Sequence, residues 1–347
     1  MPTTERSGGD GVSGPTGRLS LGVVCTLLVA LLIVATGLSL VLGRGAGGAL
    51  WDLPALWQRD PDTARLILEE VRLPRTLLGL LVGATLGLCG AALQGLLRNP
   101  LAEPGILGAS SGAALGAVVV FYFGLASAGA WLVPVGGVIG SALALGVLYL
   151  LAGRSPELLT IILAGVAINA FAGAMTSLAL NFAPSPYAIM EIIFWMLGSL
   201  ADRSMVQVQL ALPLMLAGGL LIATAARGLD ALTLGSDAAR SLGFSPGAVQ
   251  LRVIAGTALA VGAAVAVTGV VGFVGLVVPH LLRPLVGYRP ARLLLPSALA
   301  GAVLLLAADL LVRSLPPGPE LKLGVVTAML GAPFFLFLIV RSRRQAW

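Results

Sequence analysis

The chain has 347 residues, of which 58% are hydrophobic and 10% charged, and its mean hydropathy is +1.00. A soluble domain of this size cannot hide so many apolar groups, so the composition describes a polytopic membrane protein. The formal charge of +6 fits basic residues placed beside membrane spans by topology and anionic lipid, and gives no ground for nucleic-acid binding.

Residues 1–20 are polar, rich in Gly, Ser and Thr, and lack apolar periodicity, so a disordered cytoplasmic tail is expected there. Residues 21–347 then form one transmembrane domain. The apolar run Leu21–Gly43 is longer than the roughly 7 to 15 residues of a cleaved signal core and long enough to cross a bilayer, so it is expected to stay attached. Arg44–Val71 is a mixed connection with Trp51, Trp57 and several carboxylates, suited to an extracytoplasmic interface. Further spans are expected at Thr76–Leu97, Gly105–Phe123, Trp131–Leu151, Leu158–Leu180, Val206–Ala226, Leu251–Val270, Val274–Val286, Ala291–Val312 and Gly324–Val340. The fold class is therefore all-α, with about ten transmembrane helices, of which Val274–Val286 is too short to cross alone. Pro186–Ala201 suits a short helix at the outer surface.

With the N-terminus inside, the larger set of arginines lies on the cytoplasmic side, which supports two cytoplasmic termini and an even number of spans. The most polar internal stretch, Arg227–Gly243, is then cytoplasmic; Gly235 followed by Ser236 and Asp237 reads as a stop and an N-cap between two short helices. The smaller outside set includes Arg72, Arg75 and Arg313. Arg72 and Arg75 flank Pro74 at a helix start, where the dipole disfavours cations. Something negative must compensate: lipid phosphate, the nearby Glu69 and Glu70, or an acidic partner. Arg313 ends a span, where a cation is favourable, and lies one turn from Asp309, its expected pair.

Two glycine-proline breaks interrupt apolar sequence, Gly95–Gly108 and Gly269–Arg283, and give the two halves a faint correspondence. Unpaired backbone is too costly in hydrocarbon, so each break must pack in protein or line a wet cavity, the pattern of a transport pathway. Asn169 with Gly165 and Gly173, and Thr327 with Gly331, form small polar helix faces used for close packing or as a wetted wall. His280 is the sole histidine, so a metal cluster or catalytic triad is disfavoured against a cap or packing role. Cys25 and Cys89 lie in apolar segments and read as small core residues. The sole lysine, Lys322, has no preceding glycine, so no GxxxxGK[ST] phosphate loop exists, and any ATP hydrolysis must come from another polypeptide. An ion-coupled secondary transporter using Asp309 or Glu191 is the alternative; an intramembrane enzyme lacks a nucleophile and base.

The stretches RLPRTLLGLLVGATLGLCGAALQGLLRNPLAEPGILGASSGAALG from Arg72, LAGVAINA from Leu163, WMLGSLA from Trp195, LTLGSDAARSLG from Leu232, GVVGFVGLVVPHLLR from Gly269 and ELKLGVVTAMLGAPFF from Glu320 together resemble FecCD-type permeases of ATP-binding cassette importers. That resemblance implies a ten-helix permease with two pseudo-repeated halves that carries ferric siderophores, haem or cobalamin across a bacterial inner membrane. It implies a second permease copy, two cytoplasmic ATPases that hold the ATP and Mg, and a periplasmic or lipid-anchored binding protein; the chain itself needs no cofactor or metal. By position, Arg72, Arg75 and Arg313 match docking residues for the binding protein. Leu232, Leu234, Gly235, Asp237, Ala238, Arg240, Leu242 and Gly243, within coupling helices at about 229–243, match the ATPase contact. Asn169, Gly165, Gly173, Thr327 and Gly331 match path-lining positions. Lys322 departs from the family's small or apolar residue at the outer vestibule.

Overall fold

The structure is a computed structural model that describes residues 20–43, 52–129, 131–152, 158–183, 185–315 and 321–345. Residues 1–19 of the expected tail, Arg44, Trp51, Arg154 and Glu320 lie outside these residues, while Ser20, the last residue of that expected tail, is the N-cap of the first helix. The described residues form helices in this order: α1 (Leu21–Val41), α2 (Asp52–Arg59), α3 (Pro61–Leu66), a π-helical turn (Ile67–Arg72), α4 (Leu73–Leu96), α5 (Ala109–Tyr122), a 3₁₀ turn (Leu125–Ala128), α6 (Leu132–Ala152), α7 (Leu158–Asn181), α8 (Pro186–Met196) and α9 (Met205–Thr224). The chain continues through α10 (Ala226–Leu232), α11 (Ser236–Ser241), α12 (Pro246–Thr268), α13 (Val274–Val286), α14 (Pro290–Ser314) and α15 (Leu323–Gln345).

Seven of these segments are long and apolar enough to cross a membrane. The shorter α5, α13 and α15 fall on the remaining expected spans, and α8 is the short helix expected at the outer surface. Helix starts follow local chemistry. Ser185 before Pro186 and Ser245 before Pro246 each accept a backbone N–H of the first turn, and Ser204 with Gln207 forms a capping box. Asp60 caps α3 by accepting the Thr63 hydroxyl and backbone N–H, and these two bonds hold its carboxyl below the usual range.

Helix α12 and the Pro61–Leu96 segment that contains α4 are the most enclosed spans, each with 72% of its most apolar window buried, whereas α1 has 17%. The helix seams are made of small residues that let backbones touch, as expected where lipid offers no hydrophobic drive for association. A Cβ on Gly83 of α4 would stand 2.4 Å from the Gly301 carbonyl oxygen of α14, and one on Gly87 2.0 Å from that of Ser297. Gly112 and Gly116 of α5 meet Gly140 and Gly136 of α6 in the same way, and Gly218 of α9 meets Gly256 of α12.

Three expectations change. Helix α5 begins at Ala109 rather than Gly105, because Gly108 takes φ +88° and residues 98–108 fold as a connection that is buried at 102–104 and 107–108 and exposed at Arg98 and Pro100. The connection before α4 is largely helical, since α3, the π turn and α4 run on continuously from Pro61 to Leu96. Neither Ser236 nor Asp237 caps α11: the N-cap is Gly235 at φ +109°, and the Asp237 carboxylate instead accepts from Arg240 Nη1 at 2.6 Å.

Candidate functional site

Three regions carry the polar chemistry of the bundle. The first joins the C-terminal end of α1 to the adjoining ends of α4 and α14. Arg72 is buried, and its Nη1 donates to the carbonyl oxygens of Leu40, at 3.0 Å, and Val41. Arg313 is buried too and donates from Nη1 to Ser39 O at 2.8 Å and Leu42 O at 3.3 Å. These carbonyls are orphans of the last turn of α1, which two guanidiniums therefore cap from other helices. Arg75 grips Asp309 with Nε and Nη2 at 3.0 and 2.8 Å, and Arg313 Nε reaches the other carboxylate oxygen at 2.8 Å. Ser39 and Thr76 hydroxyls bond at 2.7 Å beside them.

The compensation demanded by Arg72 and Arg75 thus includes α1 carbonyls and Asp309. Glu69 instead pairs with Arg65 at 2.8 Å in an exposed position. The expected Asp309–Arg313 pair forms and is widened by Arg75. Arg72 is the last residue of the π turn, and Gly43 leaves room for its guanidinium, since a Cβ there would fall 2.7 Å from Arg72 Nη2.

The second region is the α10–α11 pair, hinged at Gly235 as expected. Leu232 is buried against the bundle and Ala238 is half-buried, whereas Leu234, Asp237, Arg240, Leu242 and Gly243 are exposed. Asp230, missed in the sequence, ties the pair to the bundle: its Oδ1 accepts the Ala291 N–H in the first turn of α14 at 2.9 Å. Its signal was an acid facing a helix start, visible only once α10 and α14 are adjacent.

The third region is the break between α4 and α5. Asn169 of α7 donates from Nδ2 to Gly105 O and Ile106 O, each at 3.0 Å, and accepts from Ser111 Oγ at 2.5 Å. Gly165 lies one turn away, where a Cβ would come within 2.5 Å of Ile106 O, so these two residues form one cradle for the break. Gly173 takes no part, since nothing lies within 4 Å of its missing Cβ. Gly331 of α15 lies under the Phe273 side chain, and Thr327 one turn earlier bonds its own helix at Gly324 O, 3.1 Å away. Ala102, Glu103 and Leu107 are buried, so the interrupted backbone is packed in protein as its sequence required.

His280 packs edge-on against Phe334, with ring centroids 5.8 Å apart, in the middle of α13 rather than at a cap. Lys322 Nζ stands 5.8 Å from the Phe194 ring centroid. Cys89 is buried, Cys25 half-buried, and neither forms a disulfide. Among the described residues no cluster of three His, Cys, Asp or Glu is arranged to hold a metal.

The described residues thus form a helical bundle with seven helices long and apolar enough to cross a membrane, whose polar residues cap helices and cradle a break. The model of the FecCD transport family matches residues 30–341, and the chain belongs to that family. It is 40% identical over 335 residues to the hemin transport system permease protein HmuU of Yersinia pestis, covering 94% of this chain and 97% of that one. It is 37% identical over 318 residues to the vitamin B12 import system permease protein BtuC of Citrobacter koseri, covering 91% and 94%. A solved structure described as an inward-facing conformation of an ABC transporter assigned to the metal-chelate type superposes with a TM-score of 0.78 at 30% identity, covering 92% of this chain and 99% of that one. The chain is therefore a multi-pass permease subunit of an ABC importer and not an enzyme.

Proposed function

We propose that this chain is the transmembrane subunit of a binding-protein-dependent importer that moves a metal chelate, a ferric siderophore, haem or cobalamin, across the inner membrane by ATP-driven alternating access. The observation that carries the reading is the α10–α11 pair, which presents Leu234 and Leu242 at 69% and 59% exposure on a surface of Asp237 and Arg240. Apolar anchors on short helices suit insertion into a groove of another protein, and a chain without a phosphate loop needs an ATPase there. The relatives named for hemin and vitamin B12 support the cargo class.

In this reading two copies of the chain pack about a two-fold axis with α7 and α15 toward the path, and Asn169, Gly165, Gly173, Thr327 and Gly331 belong to its wall. Two cytoplasmic ATPases bind ATP and Mg, both termini are cytoplasmic, and a soluble binding protein delivers cargo at the Arg72, Arg75 and Arg313 end. Arg75 is the most open of the three, with 13% of its side chain accessible, and leads the contact with an acidic partner. Against ion coupling stands Asp309, whose carboxylate is already held by two guanidiniums.

The test replaces Leu234 and Leu242 together with Asp. The purified permease is expected to lose its ATPase subunits and all ATP-driven uptake while still inserting as a folded dimer. Retention of the ATPases by the double variant, or uphill uptake by the permease alone on an ion gradient, overturns the reading.

A further inference from the structure

The two breaks meet at one residue. Glu103, in the connection after α4, is 7% exposed, and its Oε1 accepts the backbone N–H of Phe273 at 2.6 Å. Phe273 is the N-cap residue of α13 and makes no side-chain cap of its own, so the glutamate brings an acceptor oxygen to a helix end whose first amides lack intrahelical partners. Phe273 also sits at φ +67°, a conformation in which a bulky residue is a true outlier and which the surroundings must impose.

That backbone turn aims the aromatic side chain at α15. A Cβ on Gly331 would fall 2.1 Å from Phe273 Cβ and 2.2 Å from its Cγ, so the ring rests on the bare backbone of the last helix. Two and three residues further along the same connection, Asn169 of α7 holds Gly105 O and Ile106 O. Pro104 completes the seat, its Cδ lying 3.2 Å from where a Cβ on Gly275 would stand. The connection is thus gripped by α7 and by α13 with α15.

We propose that Glu103 is a positioning residue of the transport path: its carboxylate fixes the left-handed turn at Phe273, seats the ring on Gly331, and latches the α4–α5 connection to α13 and α15. The inference rests on the reading of α7 and α15 as walls of the path. A latch of this kind makes the break and the last helix shift as one body, and the ring closes the space between them. Asn169 contacts carbonyls within the connection; Glu103 instead reaches across to a helix start, where its side-chain oxygen accepts a backbone N–H.

The experiment reads leakage, which needs no knowledge of the cargo. Permease assembled with its ATPases is reconstituted into vesicles of phosphatidylethanolamine and phosphatidylglycerol loaded with carboxyfluorescein. Glu103→Ala is expected to leak roughly tenfold faster than the parent, the scale set by losing the partner of a buried donor. Glu103→Gln, whose amide oxygen accepts the same N–H, is expected to restore a tight membrane. Phe273→Ala is expected to leak like Glu103→Ala, and the double variant no more than either, because both open one latch. A tight Glu103→Ala vesicle, a Gln variant that leaks like Ala, or additive leakage in the double variant overturns the proposal. Where Glu103→Ala does not assemble, Phe273→Ala decides alone, a tight membrane refuting the latch. Loss of ATP-driven uptake in the parent with the leakage pattern intact would refute the importer reading and leave the latch standing.

Discussion

Arg313 shows how much one side chain can hold in a bilayer. It caps the Ser39 and Leu42 carbonyls at the end of α1, shares Asp309 with Arg75 and donates from Nη2 to the Ser39 hydroxyl, all while 5% exposed. Removing it as Arg313→Met leaves buried carbonyls without donors and Asp309 with one guanidinium instead of two. A loss of about 3 kcal/mol is expected, at the scale of breaking a buried pair, read as thermal stability of the detergent-solubilised protein. Arg65→Ala, whose ion pair with Glu69 is exposed on both sides, is expected to change stability by less than about 1 kcal/mol in the same assay.

At the scale of elements, glycines decide which helices can meet. Gly301 faces the Gly83 carbonyl so closely that a methyl group would sit 2.2 Å from its oxygen, so Gly301→Ala must push α14 off α4. A cost of about 1 to 3 kcal/mol is expected, seen as a lower melting temperature and reduced yield of folded permease. Gly173→Ala meets nothing and gains helix propensity, so it is expected to be neutral or to stabilise by up to about 1 kcal/mol. The same contrast explains what the sequence could tell. Asn169 and Gly165 shared a helix face at a spacing of four and indeed act together, and Gly235 marked a hinge because its neighbours are polar. The spacing rule placed Gly173 on that same face, but the face turns away from the break one turn later. The N-terminus of α5 was misread because Gly105 to Gly108 is apolar enough to pass as helix, whereas the Asn169 amide that holds the turn at Gly105 O and Ile106 O comes from a segment distant in sequence. Glu103, Phe273 and Asp230 carried no local signal, since each acts on a segment distant in sequence.

Across the whole molecule, α14 is fastened at both ends. Its first turn is held by Asp230 of the α10–α11 pair and its last by Asp309 and Arg313 among the arginines, with a glycine seam against α4 between. Such a rod links the two faces, with Pro296 as its one internal proline, provided both fastenings hold. Asp230→Ala is expected to cost about 1 kcal/mol in stability, the ordinary worth of a helix cap. It is also expected to lower uptake per ATP hydrolysed more than it lowers hydrolysis, measured side by side in vesicles. Equal loss of both would mean that the rod is passive.

The capping of α1 by Arg72 and Arg313 bears on biogenesis. Arg72 follows Leu40 by 32 residues, whereas Arg313 follows Ser39 by 274, so the two caps on the first segment become available at very different stages of synthesis. A nascent chain stopped before α14 would hold that segment by the early cap without the late one, and translation past Arg313 would complete its seating.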